Sequence, residues 1–194
     1  YGHQWGVFEF KLAWWADNNR VAYCIEQERG DRMLRLLAFD MVAGDVRIVF
    51  EESSDTHINL LPELTGAPLH RYLSSSNQLI WWSQRSGWGH LYLYDGKTLK
   101  LKHTLTSGDW LVRKIVRVDE SEGWIYFLAS GIDKDVDIYY KSLCRVRLDG
   151  SEFQRLTPEV ANHSISVPSD RDVQIDKTSK ASSFSPSGKY FVDY

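Results

Sequence analysis

The chain is poor in the residues that covalently stapled or metal-dependent proteins rely on. Its 194 residues include two cysteines, Cys24 and Cys144. Two are too few for a disulfide framework, and both lie in apolar runs where buried free thiols are expected. The six histidines are scattered, with no His-x-x-x-His and no Cys-x-x-Cys, so neither a metal site nor a cofactor is expected. No apolar run approaches the roughly 20 residues of a membrane span. Positive charge is not in excess: 23 Lys and Arg stand against 26 Asp and Glu, a net charge of -3, which argues against a nucleic-acid surface. Sustained apolar spacing at three and four residues is missing, so little helix is expected. A Gly-x-Ser-x-Gly pentapeptide, the elbow that presents a hydrolase nucleophile, does not occur. The serines cluster instead at Ser74 to Ser76, Ser182-Ser183 and Ser185 to Ser187, where turn formation accounts for them. No catalytic residue is assigned.

What the chain does contain is strand. Eight Trp and ten Tyr within a 43% hydrophobic composition suit pleated, half-buried surfaces. Three stretches repeat one order: a strand ending in Asp, a short turn with Gly, and another strand. They are Leu34 to Val49, Leu91 to Leu105 and Cys144 to Leu156. Asp40, Asp95 and Asp149 fall about 55 positions apart, a period that points to β-propeller blades or another solenoid-like array. The expected fold is all-β, a partial β-propeller of three four-stranded antiparallel blades plus the start of a fourth. The blades are placed at about 8–56, 69–107, 111–158 and 181–194, with 158–180 a loop or insertion that holds a candidate strand, Asn162 to Val167. Phe8 to Trp14 reads as an innermost strand and Leu60 to Leu64 as a helical turn between blades. Each blade buries its faces on its neighbours, so none is stable alone. An open array leaves unpaired edges, and self-association is expected through Tyr190 to Tyr194 or the first strand.

Four features invite a chemical reading. Glu51-Glu52 could hold a cationic group, although charges at a strand exit are usually solvated. Asp133, Asp135 and Asp137 alternate like the opening of a calcium loop but lack its Gly and distant Glu. Trp14-Trp15 and Trp81-Trp82 must send one ring to each side of their sheets, for inter-blade packing or as a platform for a carbohydrate or peptide. The start of the chain, Tyr1-Gly2-His3-Gln4-Trp5, has neither an initiator Met nor a signal-peptide pattern and reads as the edge of a longer protein.

Ser83-Gln84-Arg85-Ser86-Gly87-Trp88-Gly89-His90-Leu91-Tyr92-Leu93-Tyr94-Asp95 resembles the Ser-Glu-Arg-Asp-Gly-Trp-x-His-Leu-Tyr blade signature of bacterial dipeptidyl peptidase IV-like enzymes, serine peptidases of the prolyl oligopeptidase clan. Thr106-Ser107-Gly108-Asp109-Trp110-Leu111-Val112 is similar to the Thr-x-Gly-x-Trp-x-Val that follows it there. Trp124 to Ser130, Leu143 to Gly150 and Phe184 to Tyr190 continue in that family's order. The resemblance implies an eight-bladed N-terminal propeller that caps an α/β-hydrolase domain, in enzymes releasing N-terminal dipeptides with Pro or Ala second. It implies a catalytic Ser, Asp and His beyond Tyr194, so that the α/β-hydrolase domain is absent from this chain and peptide substrate meets only the full-length enzyme. It also implies a periplasmic or envelope location. The family's amine-gripping double Glu lies upstream in a different flanking pattern, so Glu51-Glu52 does not inherit that role. Its substrate-side aromatic and Arg would fall near Leu64 and Thr65, and neither residue type is there. Substrate-binding residues therefore stay unknown. The competing reading is a stand-alone propeller module that binds a protein or glycan.

Overall fold

The computed structural model describes residues 13–16, 19–60, 69–165, 183–185 and 187–193. Twelve strands form three four-stranded antiparallel sheets among these residues. The first holds β1 (Ala13–Trp15), β2 (Val21–Gln27), β3 (Met33–Asp40) and β4 (Asp45–Ser53). The second holds β5 (His70–Leu73), β6 (Gln78–Ser83), β7 (His90–Asp95) and β8 (Leu101–Thr104). The third holds β9 (Leu111–Asp119), β10 (Trp124–Ser130), β11 (Lys141–Arg147) and β12 (Gln154–Arg155). In each sheet the strands lie side by side in chain order. A fourth unit begins with an antiparallel bridge between Phe184 and Phe191. This is the all-β, partial propeller expected.

Alternation along the central strands explains the stacking. Successive side chains of a strand point to opposite faces. Leu79 and Trp81 of β6, with Tyr92 and Tyr94 of β7, join Ile25, Leu34 and Leu36 of blade 1 in one apolar cluster. Ile80 and Trp82, with Leu91 and Leu93, join Ile115, Ile125, Phe127 and Val146 of blade 3 in another. A third cluster sets Leu128 and Leu143 against Ile165 and Phe184. Blade 2 is thus buried on both faces, which is why β6 and β7 read as nearly unbroken apolar runs. Burying each of these large side chains stabilises the stack by about 2 kcal/mol.

The repeated Asp residues are turn anchors. Asp40 Oδ1 accepts the amides of Val42 and Ala43 at 3.0 Å. Asp95 Oδ1 accepts those of Lys97 at 3.0 Å and Thr98 at 2.8 Å, and Asp149 Oδ1 that of Ser151 at 2.9 Å. Each carboxyl is held below the usual carboxylate range, Asp40 mainly by Arg20, Asp95 by the Thr98 amide and Asp149 by the Ser151 hydroxyl, which donates to it at 2.6 Å. The 55-residue period is therefore the period of one turn type.

In a meander, the first-to-second and third-to-fourth turns share one end of the blade. Those turns are short here, and Ser75 and Ser76 of blade 2 meet Glu120 of blade 3 across them. The opposite end carries the second-to-third connections, including Gln84–Gly89 and the longer 131–140, together with the connectors between blades. Variable loops on a rigid scaffold are where function concentrates.

Several expectations need correction. Residues 162–165 form no strand: the His163 amide donates one backbone hydrogen bond of 2.9 Å to the Lys141 carbonyl. Side chains make the neighbouring contacts, Asn162 Oδ1 accepting the Lys141 amide and His163 bonding Asp193. The closing strand expected in the Cys144 to Leu156 stretch shortens to Gln154–Arg155, because the Thr157 hydroxyl and carbonyl are taken by the Leu143 amide and the Arg155 side chain. Of the expected innermost strand Phe8 to Trp14, only Ala13 and Trp14 lie in the described β1. The expected helical turn lies outside the described residues after Leu60, as do Leu64 and Thr65.

Candidate functional site

The family-like signature folds into two linked networks at the loop-bearing end. In the first, Glu52 at the end of β4 crosses to blade 2. The Ser83 hydroxyl donates to Glu52 Oε1, Trp81 Nε1 donates to Oε2 at 3.4 Å, and Arg85 Nη2 lies 3.4 Å from Oε2. The Arg85 Nε and amide donate to Ser83 Oγ at 2.9 and 3.1 Å. Next to it, the Gln84 side chain accepts the Asn59 amide at 3.0 Å. The solvated reading fails for Glu52, whose side chain is only 10% exposed, and holds for Glu51, which stays exposed while accepting from Arg35 Nε at 2.8 Å. The chain's own arginines already supply the cations, which sequence spacing across two blades does not reveal.

In the second network, His90 sits on the blade 2–blade 3 seam. Its Nε2 lies 2.9 Å from the Gly108 carbonyl and its Nδ1 3.0 Å from the Thr106 hydroxyl. A carbonyl only accepts, so Nε2 carries the proton and Nδ1 accepts from Thr106. The same Thr106 oxygen accepts the Leu91 amide at 3.0 Å. The ring meets Trp110 edge-on at 4.8 Å, and Trp110 stacks on Phe127 at 6.1 Å and 3°. Gly108 is required here: its φ is +128°, and a Cβ would stand 2.5 Å from Trp110 Nε1. Thr-x-Gly-x-Trp-x-Val is thus a packing motif in this chain.

Burial pushes the His90 imidazole below its ordinary value of 6.5. A histidine kept neutral in the fold stabilises fully above its unfolded value, and that stability is lost as pH falls below it. The depressed carboxylates act lower, near and below 3.8. The wild-type melting midpoint is therefore expected to fall as pH drops below about 6.5, and His90→Gln to remove most of that slope. Parallel slopes in a pH series of melts would contradict this role for His90.

The other marked residues play structural parts. Trp81 and Trp82 are both buried, one toward each neighbouring blade, and Trp82 Nε1 donates to the Val112 carbonyl at 3.1 Å. That pair offers no platform to a ligand. Trp14 stacks on Tyr23 and His70, while Trp15 is exposed. Asp133 and Asp137 accept the amides of Asp135 and Tyr139, and Asp133 faces Arg155 at 3.7 Å. No group of three or more His, Cys, Asp or Glu among the described residues is arranged to hold a metal. Both cysteines are free; burial pushes the Cys144 thiol up to about 12, and Cys24 is half-buried. A shallow recess between blades 1 and 2, lined by Leu34, Asn59, Leu69, His70 and Trp81, brings no nucleophile and base together. No helix among the described residues is long and apolar enough to cross a membrane.

The chain is similar to the crystal structure of Porphyromonas gingivalis dipeptidyl peptidase 4, with 15% identity and a TM-score of 0.60 over 80% of this chain and 21% of that one. It is also similar to a structure assigned as a dipeptidyl aminopeptidase IV from Bacteroides ovatus, with 20% identity and a TM-score of 0.62 over 95% of this chain and 25% of that one. The chain thus spans a quarter or less of the length of these structures, and the likeness establishes the propeller fold. The family model described as the dipeptidyl peptidase IV (DPP IV) N-terminal region matches residues 10–193. By that match over almost its whole length, the chain belongs to the dipeptidyl peptidase IV N-terminal region family.

Proposed function

We propose that this chain is a segment of the propeller of a longer dipeptidyl peptidase IV-like serine protease, in which it serves as scaffold and access filter rather than as a source of catalytic groups. The match to an N-terminal region over residues 10–193 carries this reading. Acyl transfer needs a nucleophile, a base and an oxyanion hole in one place. The signature residues Ser83, Arg85, His90, Thr106 and Gly108 are instead spent on joining blades. The substrates of the intact enzyme would be peptides with Pro or Ala in the second position, reaching it past the inner strands β1, β5 and β9.

The 194-residue chain alone is expected to release no dipeptide from chromogenic Gly-Pro or Ala-Pro substrates. Turnover that survives purification to homogeneity would contradict the proposal. The stand-alone binding module is the weaker reading, because the family match is to a region of peptidases; a gene ending at Tyr194 would favour it. We also propose that the isolated chain self-associates. Tyr190 and Val192 are exposed, as are Val46 and Ile48 of β4, and strictly monomeric sedimentation would count against it.

A further inference from the structure

Arg85 lies in an arrangement that goes beyond a single ion pair. Its guanidinium carbon is 4.5 Å from the Tyr92 ring centroid, 5.5 Å from Phe50 and 5.8 Å from Tyr94, all within the range of cation–π attraction. The Glu52 carboxylate closes the remaining side. Phe50 and Glu52 come from blade 1, Tyr92 and Tyr94 from blade 2. Phe50 meets Tyr94 edge-on at 5.3 Å, so the walls support each other. Burial pushes the Tyr94 hydroxyl's pKa up, and the adjacent Arg85 guanidinium opposes that shift by its charge and a hydrogen bond. We propose that Phe50, Glu52, Tyr92 and Tyr94 form a guanidinium-binding cage at the seam between blades 1 and 2, which Arg85 fills as a tethered ligand.

The next blade supplies a natural contrast. Ser130 ends β10 as Ser83 ends β6, and two residues on stands Ile132 in place of Arg85. Ile132 packs on the apolar cluster, and the buried Ser130 hydroxyl has no partner among the described residues. Of these two seams, the one that holds an arginine also brings a carboxylate and aromatic walls to it. The occupant must be flat and cationic: three rings and one carboxylate favour a delocalised guanidinium over a compact, strongly hydrated ammonium. Filling the cage fixes the Gln84–Gly89 loop to blade 1, and through Gln84 it fixes the connector at Asn59. This inference does not depend on the peptidase reading.

Arg85→Ala empties the cage, and its melting midpoint is expected to fall by about 5 °C. Millimolar methylguanidinium should restore at least half of that loss saturably, by binding the folded state, and should not raise the wild-type midpoint. Methylammonium or sodium chloride at equal ionic strength should restore none of it. Adding Tyr92→Leu to the variant should abolish the rescue. An unchanged midpoint in Arg85→Ala, or recovery that is absent or equal for all three salts, would overturn the proposal. Should the variant fail to fold, its refolding yield with and without methylguanidinium is the readout. A higher yield supports the cage and an unchanged one refutes it.

Discussion

Phe127→Ala is expected to cost about 4 kcal/mol, a large part of the stability of an ordinary domain. The ring is fully buried on the blade 2–blade 3 seam. It stacks on Trp110 and lies 6.4 Å from Phe153. The substitution removes the transfer free energy of a phenyl group and leaves a cavity whose walls come from two sheets, so relaxation on one side cannot fill it. Urea unfolding would show a lower midpoint with an unchanged slope. A loss below about 1 kcal/mol would mean that the two sheets are not packed through this residue. Trp15→Ser on the exposed strand β1 should stay within about 0.5 kcal/mol and serves as the control.

Gly89→Ala should cost about 3 kcal/mol, although it adds one methyl group. A Cβ at this position would stand 2.2 Å from Trp82 Cζ2 and 2.7 Å from Cε2, closer than any van der Waals contact. The indole has no easy retreat. It is buried between blades, and its Nε1 is bonded to the Val112 carbonyl. The variant must move the ring, lose that bond, or displace the loop that Arg85 anchors. With roughly 2–4 °C per kcal/mol for a chain of this size, the melting midpoint should fall by about 6–12 °C. Near-UV circular dichroism should report the altered tryptophan environment. A midpoint within about 2 °C of wild type would contradict the close approach of Gly89 to Trp82.

These effects show what was legible in the residues and what was not. The strands and their turns could be read, because alternation and Asx-turn chemistry are local: Asp40, Asp95 and Asp149 act within three residues of themselves. The facing of Trp81 and Trp82 to opposite sides followed from the pleat alone. The partners of Glu52 could not be read. Ser83 and Arg85 are more than thirty positions away, and blade-to-blade register decides that they meet. His90 was likewise silent, since its neutral state depends on the carbonyl of Gly108 eighteen residues later. The resemblance marked Ser-x-Arg-x-Gly-Trp-Gly-His as a unit without saying why those residues travel together. The structure supplies the reason: Arg85 ties blade 2 to blade 1, while Gly89, His90 and the Thr106–Val112 segment tie it to blade 3.

The central claim is that blade 2 sits between two neighbours and sends alternate residues of one strand into different seams. Methyl-selective NMR on the isotopically labelled chain tests it most directly, by through-space cross-peaks from Leu79 and Ile80. The account predicts that Leu79 methyls connect to the blade 1 cluster with Ile25, Leu34 and Leu36, and that Ile80 methyls connect to the blade 3 cluster with Ile115, Ile125 and Val146. Cross-peaks from both residues to one and the same cluster, or from neither to any other blade, would contradict it.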